Sequence, residues 1–138
     1  MPHQANCVFC KIVQGQLPAT QVHEDDLTLT FMDISPAAAG HTLVIAKAHF
    51  ETLFDIDETN VAAVAVTSRR IAGAIQRALQ PAGLRVSQLN GSAARQSVFH
   101  YHVHLIPVYT GEHPGTHGRG PGDPEQIRQL AARIQAAL

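Results

Sequence analysis

Between positions 57 and 80, Val61, Val64, Ser68, Ile71, Ile75 and Leu79 recur at steps of three and four, which places them on one stripe of an α-helix. Asp57 stands where it caps that helix, and Pro81 with Gly83 stops it. A second helix is predicted over 123–138, with Ile127, Leu130, Ile134 and Leu138 along one side. Elsewhere the period is two. Residues 22–24 and 27–32 predict a hairpin turning at Asp25-Asp26, and 41–46 predicts a third strand rich in β-branched residues. Residues 84–89 alternate as a fourth strand, with Arg85, Ser87 and Leu89 on one face, and 97–108 predicts a fifth, longer one. Residues 7–14 predict a short helical turn, ended by the stretch from Gly15 to Pro18. Glycine and proline dominate 110–124, which predicts a mobile loop rather than packed structure. There is no internal repeat. The pattern is α+β, mostly antiparallel strands with one long helix laid across them.

Composition narrows the class. A chain of 138 residues suits one domain, and 45% hydrophobic with 15% charged residues excludes a disordered one. Ten basic against eleven acidic residues leave a net charge of −1, without the basic stripe that gripping a nucleic-acid backbone requires. No nucleic-acid partner is expected, so local groups must hold any nucleotide. The strongly apolar run 42–46 is far too short to span a bilayer, and the polar N-terminus lacks a signal peptide's regions. No membrane partner and a cytoplasmic location are therefore expected.

Histidine changes the picture most, with nine in the chain. In a strand, His100, His102 and His104 share one face while Tyr101, Val103 and Leu105 point the other way. Three imidazoles in a row are costly as core. They form a solvated face, a metal site or a phosphate site. A single ion held by all three is disfavoured, because the outer two lie about 13 Å apart along a straight strand. In a phosphate site, one imidazole attacks while its neighbours orient it and bind oxygens. Cys7 and Cys10 form a Cys-x-x-Cys pair, a metal half-site or a redox pair.

The run His100-x-His102-x-His104 followed by Leu105-Ile106 resembles the signature of the histidine triad (HIT) family of nucleotide hydrolases and transferases. Residues 31–36, residues 40–49, and Asn90 followed by Gln96-Ser97-Val98 resemble further blocks of that family. The resemblance covers roughly 7–107. It implies a HIT-like α+β fold with a five-stranded antiparallel sheet, one long helix and a C-terminal helix. The domain would be single over 1–138, with its core at 7–109, a Gly/Pro-rich loop at 110–124 and a helix at 124–138.

By the same resemblance, His102 attacks the α-phosphorus and forms a nucleotidyl-histidine that water hydrolyses. His41 helps to position it, His104 contacts phosphate oxygens, and Ser97 with Gln96 reaches the leaving group and phosphate. Asp33 accepts from the ribose hydroxyls. Phe9, Ile12, Phe31 and Ile34 form the slot for the base, and Asn90 joins the substrate-binding set. Cys7, Cys10, His49 and His100 match the positions at which several family members bind zinc, a closed structural site. The implied activity is hydrolysis of nucleoside phosphoramidates or related purine nucleotide conjugates. Alternatives are a dinucleoside polyphosphate hydrolase, or a regulatory nucleotide-binding protein with little turnover. A homodimer is implied as well.

Two features depart from the family pattern or stand outside it. Arg95 occupies a position where the family often has glycine, which permits backbone shapes that arginine resists. His3, His23, His113 and His117 receive no role, and solvated loop histidines are the default reading.

Overall fold

Asp25 turns the first hairpin by itself. Its Oδ1 accepts the backbone N–H of Leu27 at 3.0 Å and of Thr28 at 2.8 Å, an arrangement that a short carboxylate offers and an apolar side chain cannot. In the computed structural model, which describes residues 3–138, this turn joins β1 (Gln21–Glu24) to β2 (Thr28–Met32). β3 (Thr42–Ala46), β4 (Gly83–Ser87) and β5 (His102–Val108) complete an antiparallel sheet in the order β1-β2-β3-β5-β4. Three helices accompany it: α1 (Val8–Val13), α2 (Glu58–Leu79) and α3 (Pro124–Ala136). Among the described residues no helix is long and apolar enough to cross a membrane.

The register decides what lies on each face. Leu29 stands opposite Ile45, Phe31 opposite Leu43, Leu43 opposite His104 and Ile45 opposite His102. These side chains therefore share one face, and α1 lays Phe9 and Ile12 over its apolar part. The other face carries Met32, Val44, Val103 and Leu105. It is covered by Val64, Ile71 and Ile75 of α2 together with Ile127, Leu130 and Ile134 of α3. Tyr101 joins this second cluster, as the alternation around the histidines requires. Asp57 caps α2 by accepting the Asn60 N–H at 2.8 Å, and Gln80 closes the helix in a left-handed conformation at φ 49°.

Four expectations need correction. The fifth strand begins at His102 rather than at 97. The preceding residues bend away, and Tyr101 N–H bonds the Phe50 carbonyl at 2.6 Å instead of extending the ladder. The fourth strand ends at Ser87, short of Leu89. Leu138 lies past the end of α3 and is exposed rather than part of the buried stripe. The Gly/Pro-rich segment 110–124 is docked, not loose. Gly118 N–H bonds the Ser35 carbonyl at 3.0 Å, and Gly122 N–H bonds the Ile34 carbonyl at 2.8 Å. A Cβ at Gly118 would stand 2.0 Å from Ser35 O, so only glycine admits this approach. Arg95 adopts φ 74°, the left-handed backbone that its departure from glycine makes costly.

Candidate active site and metal centre

Register places His102 and His104 on the α1-covered face, and hydrogen bonds then fix their protons. His102 Nδ1 lies 2.6 Å from the backbone carbonyl of His100. A carbonyl only accepts, so Nδ1 carries the proton and Nε2 keeps its lone pair. Behind it, the Ala37 N–H donates to His41 Nδ1 at 3.0 Å, which obliges His41 to carry its proton on Nε2. That Nε2–H donates to His104 Nδ1 at 3.0 Å, so His104 is a donor at Nε2. His104 Nε2 is buried without a protein partner, on a residue that lines a cavity. Three neutral imidazoles thus present one nucleophilic nitrogen and one donor.

Burial is the main reason these rings stay neutral. It pushes His41 down to about 4 and His104 to about 3, with the neighbouring histidines adding repulsion. It lowers His102 as well, against the hydrogen bond that His102 Nδ1–H donates to the His100 carbonyl. Burial also raises the Asp33 carboxyl, opposed by the Ser35 N–H on Oδ1 at 2.8 Å and by His117 and His102. Asp33 Oδ2 lies 3.5 Å from His41 Nε2, but a neutral His41 makes this a polar contact rather than an ion pair at pH 7.

The cavity measures about 370 Å³, within the range of ligand pockets. Phe9, Ile12, Phe31 and Leu43 line it with apolar surface, and Phe9 meets the His102 ring edge to face at 5.1 Å between centroids. Asp33, Ser97, His102 and His104 supply its polar groups, and the side chain of Ile34 lies at its mouth. His41 sits one layer behind, fully buried.

Two expected site residues are not brought there. Gln96 is buried, but its Oε1 accepts the Gly91 N–H at 2.7 Å and its Nε2 donates to the Glu51 carbonyl at 2.7 Å. Its amide is used up in clamping the 91–96 turn to the 51 segment. Asn90 likewise accepts the Leu53 N–H at 2.7 Å and pairs with Gln88 at 2.8 Å. Conversely, His117 lines the cavity, with Nε2 at 3.4 Å from Ser97 Oγ and its ring 5.3 Å from that of His104. No spacing in the sequence links position 117 to the histidine strand; the docked segment delivers it.

A second cluster lies alongside. Cys7, Cys10, His49 and His100 bring four donor atoms within 4.8 Å of one another. His100 Nε2–H donates to the Ala46 carbonyl, which turns the Nδ1 lone pair toward the cysteines. From that Nδ1, Cys7 Sγ is 3.4 Å away, Cys10 Sγ 3.6 Å and His49 Nδ1 3.3 Å. Zn–S bonds of about 2.3 Å and Zn–N bonds of about 2.1 Å set ligand separations of about 3.4–3.8 Å in a tetrahedron. The donor set therefore fits a zinc-sized ion. The backbone N–H of Cys10 points at Cys7 Sγ and that of Gln4 at Cys10 Sγ, both at 3.4 Å, which suits thiolate sulfur. Burial by itself raises the Cys10 thiol, so a cation is what would keep it ionised.

Comparison with known proteins agrees with this geometry. The HIT domain family model matches residues 14–111. The protein named hit from Bacillus subtilis is 39% identical over 137 residues, covering 96% of this chain and 94% of that one. The adenosine 5′-monophosphoramidase hnt1 of Schizosaccharomyces pombe is 33% identical over 139 residues, 96% of this chain and 98% of its own. Among solved structures, a zinc-bound histidine triad family protein from Mycobacterium smegmatis superposes with a TM-score of 0.85 at 37% identity. That match covers 96% of this chain and 92% of the other.

Proposed function

The chain belongs to the histidine triad (HIT) family, and we propose that within it this protein hydrolyses nucleoside phosphoramidates or related purine nucleotide conjugates. The observation that carries the reading is the tautomer of His102. Its Nδ1–H is held by the His100 carbonyl, which leaves Nε2, on a residue that lines the cavity, an unprotonated nucleophile needing no base. The base of the nucleotide lies between Phe9, Ile12, Phe31 and Ile34, and the ribose hydroxyls donate to Asp33. His102 Nε2 attacks the α-phosphorus, the P–N bond to the leaving amine breaks, and a nucleotidyl-histidine forms. Water then attacks phosphorus, the P–Nε2 bond breaks, and the nucleoside monophosphate leaves. His104 Nε2–H, otherwise unpartnered, donates to a non-bridging oxygen as charge builds there. His41 keeps His104 in that tautomer, and Ser97 stands toward the leaving group.

Cys7, Cys10, His49 and His100 would hold zinc. With four protein ligands and no open position, the ion would supply structure rather than a bound water. Exposed Val66 on α2 and Val86 on the edge strand β4 support pairing with a second copy of the chain.

The test follows AMP release from adenosine 5′-phosphoramidate and from diadenosine tetraphosphate. Phosphoramidate turnover is expected in the parent and should fall at least about 1,000-fold in His102→Ala, since the covalent route is lost. Preference for diadenosine tetraphosphate moves the assignment to polyphosphate hydrolysis. AMP binding without turnover of either substrate leaves a regulatory binding protein. Activity persisting in His102→Ala would overturn the nucleophile.

A further inference from the structure

His117 belongs to no motif of the histidine strand, yet three separate features bring it to the reacting end of the cavity. The 110–124 segment is fastened at both ends of the approach. Arg85 of β4 donates to the Pro114 carbonyl on one side, and Gly118 and Gly122 bond the Ser35 and Ile34 carbonyls on the other. Glycine at 118 is required for that approach, because a Cβ there would meet Ser35 O at 2.0 Å and Ser35 C at 2.5 Å. Between these fastenings His117 turns inward, with Nδ1 3.0 Å from Thr116 Oγ1 and Nε2 3.4 Å from Ser97 Oγ. Its ring stands edge-on to His104 at 84°. Among the described residues, His117 is the one titratable side chain hydrogen-bonded to Ser97.

We propose that His117, working through and beside Ser97, is the group that gives a proton to the departing amine and takes one from the incoming water. The proposal rests on the hydrolase reading above. An amine cannot leave phosphorus as its anion, so P–N cleavage needs a proton at nitrogen. Neither His102 nor His104 supplies one. His102 Nδ1–H is bound to a carbonyl and its Nε2 forms the new bond, while His104 Nε2–H is directed to phosphate oxygen.

In the first half-reaction the His102 Nε2 pair forms the N–P bond and the P–N pair leaves with the amine nitrogen. That nitrogen receives the Ser97 hydroxyl proton, and His117, which enters this step as the imidazolium with a proton on each ring nitrogen, restores the hydroxyl from Nε2–H. His117 is then neutral, its Nδ1–H held by Thr116 Oγ1 and its Nε2 lone pair facing Ser97. In the second half-reaction water attacks phosphorus, the N–P pair returns to His102, and the water proton passes to His117. The cycle closes with the amine and the nucleoside monophosphate as products and all histidines restored.

Leaving-group dependence tests this role. Two AMP derivatives are compared on the metal-loaded full chain: an N-alkyl phosphoramidate, whose amine must be protonated, and the p-nitrophenyl ester, whose leaving group departs as a stable anion. His117→Ala is expected to lower kcat on the phosphoramidate about 100-fold or more and on the aryl ester less than about threefold, the span that proton transfer contributes. His117→Gln, which keeps a hydrogen bond to Ser97 but cannot shuttle a proton, is expected to match His117→Ala. Equal losses on both substrates, no loss on either, full rescue by glutamine, or loss of AMP binding in His117→Ala each overturn the proposal while leaving hydrolysis intact. A parent that turns over neither substrate overturns the hydrolase reading itself.

Discussion

At the scale of single residues, the site depends on imidazoles that are kept uncharged. His41 and His104 are held down at about 4 and about 3, chiefly by burial, whereas an unfolded histidine titrates near 6.5. A folded pKa below the unfolded one means the unfolded chain takes up protons first as pH falls. The stabilisation these rings give is therefore complete above about pH 6.5 and is lost as pH drops toward about 4 for His41 and about 3 for His104, on the order of a few kcal/mol in all. Urea unfolding midpoints should fall between pH 7.5 and pH 5. His41→Asn, which leaves the Cys/His cluster untouched, should give a shallower slope than the parent. Parallel slopes would show that this pair does not carry the effect. The same scale explains the misplaced amides. The sequence identifies Gln96 and Asn90 as donors and acceptors, but their partners are the backbone of Gly91, Glu51 and Leu53, which no pattern announces.

At the scale of elements, periodicity made most of the framework readable. The stripe from Val64 to Ile75 buries one side of α2, and the alternation from Tyr101 to Leu105 separates core from site. It misread the start of β5 and the 110–124 segment for one reason. Both are positioned by backbone-to-backbone bonds, Tyr101 to Phe50 and Gly118 to Ser35, which leave no side-chain period. The docked segment therefore offers a test of its own. In Gly118→Ala the new methyl meets a backbone carbonyl that cannot yield, so the segment should lift and carry His117 away. Phosphoramidate turnover is expected to fall about as far as in His117→Ala. The melting temperature should shift by only a few degrees, because the segment buries little apolar surface. Faster tryptic cleavage after Arg119 would report the lifting directly. Unchanged turnover would mean that the docking has no catalytic part.

Across the whole molecule, the Cys/His cluster ties three regions that the chain separates widely: α1 through Cys7 and Cys10, the segment after β3 through His49, and the approach to β5 through His100. Each tie closes a long loop, so a bound ion contributes folding free energy in proportion to what it restrains. The purified protein is expected to carry about one zinc per chain by elemental analysis. Cys10→Ser should lose it and melt roughly 10 °C lower, as a deficit of several kcal/mol implies for a chain of this size. A metal-free parent with an unchanged melting temperature would reduce the four residues to packing. The four residues that could hold a metal were recognisable through resemblance. The reason it closes, the His100 Nε2–H bond to the Ala46 carbonyl, needed three dimensions.

The apolar end of the cavity has a bearing on what the protein would meet in a mixed pool. Phe9, Ile12, Phe31 and Leu43 offer flat contact and no side-chain donor or acceptor. A wall of this kind grips a heterocycle by its faces and leaves its edges unread, and hydrophobic contact alone separates similar ligands only weakly. Adenine and guanine would be nearly synonymous to it. Selection between them would then pass to supply, with the commoner nucleotide conjugate processed first simply because it arrives more often.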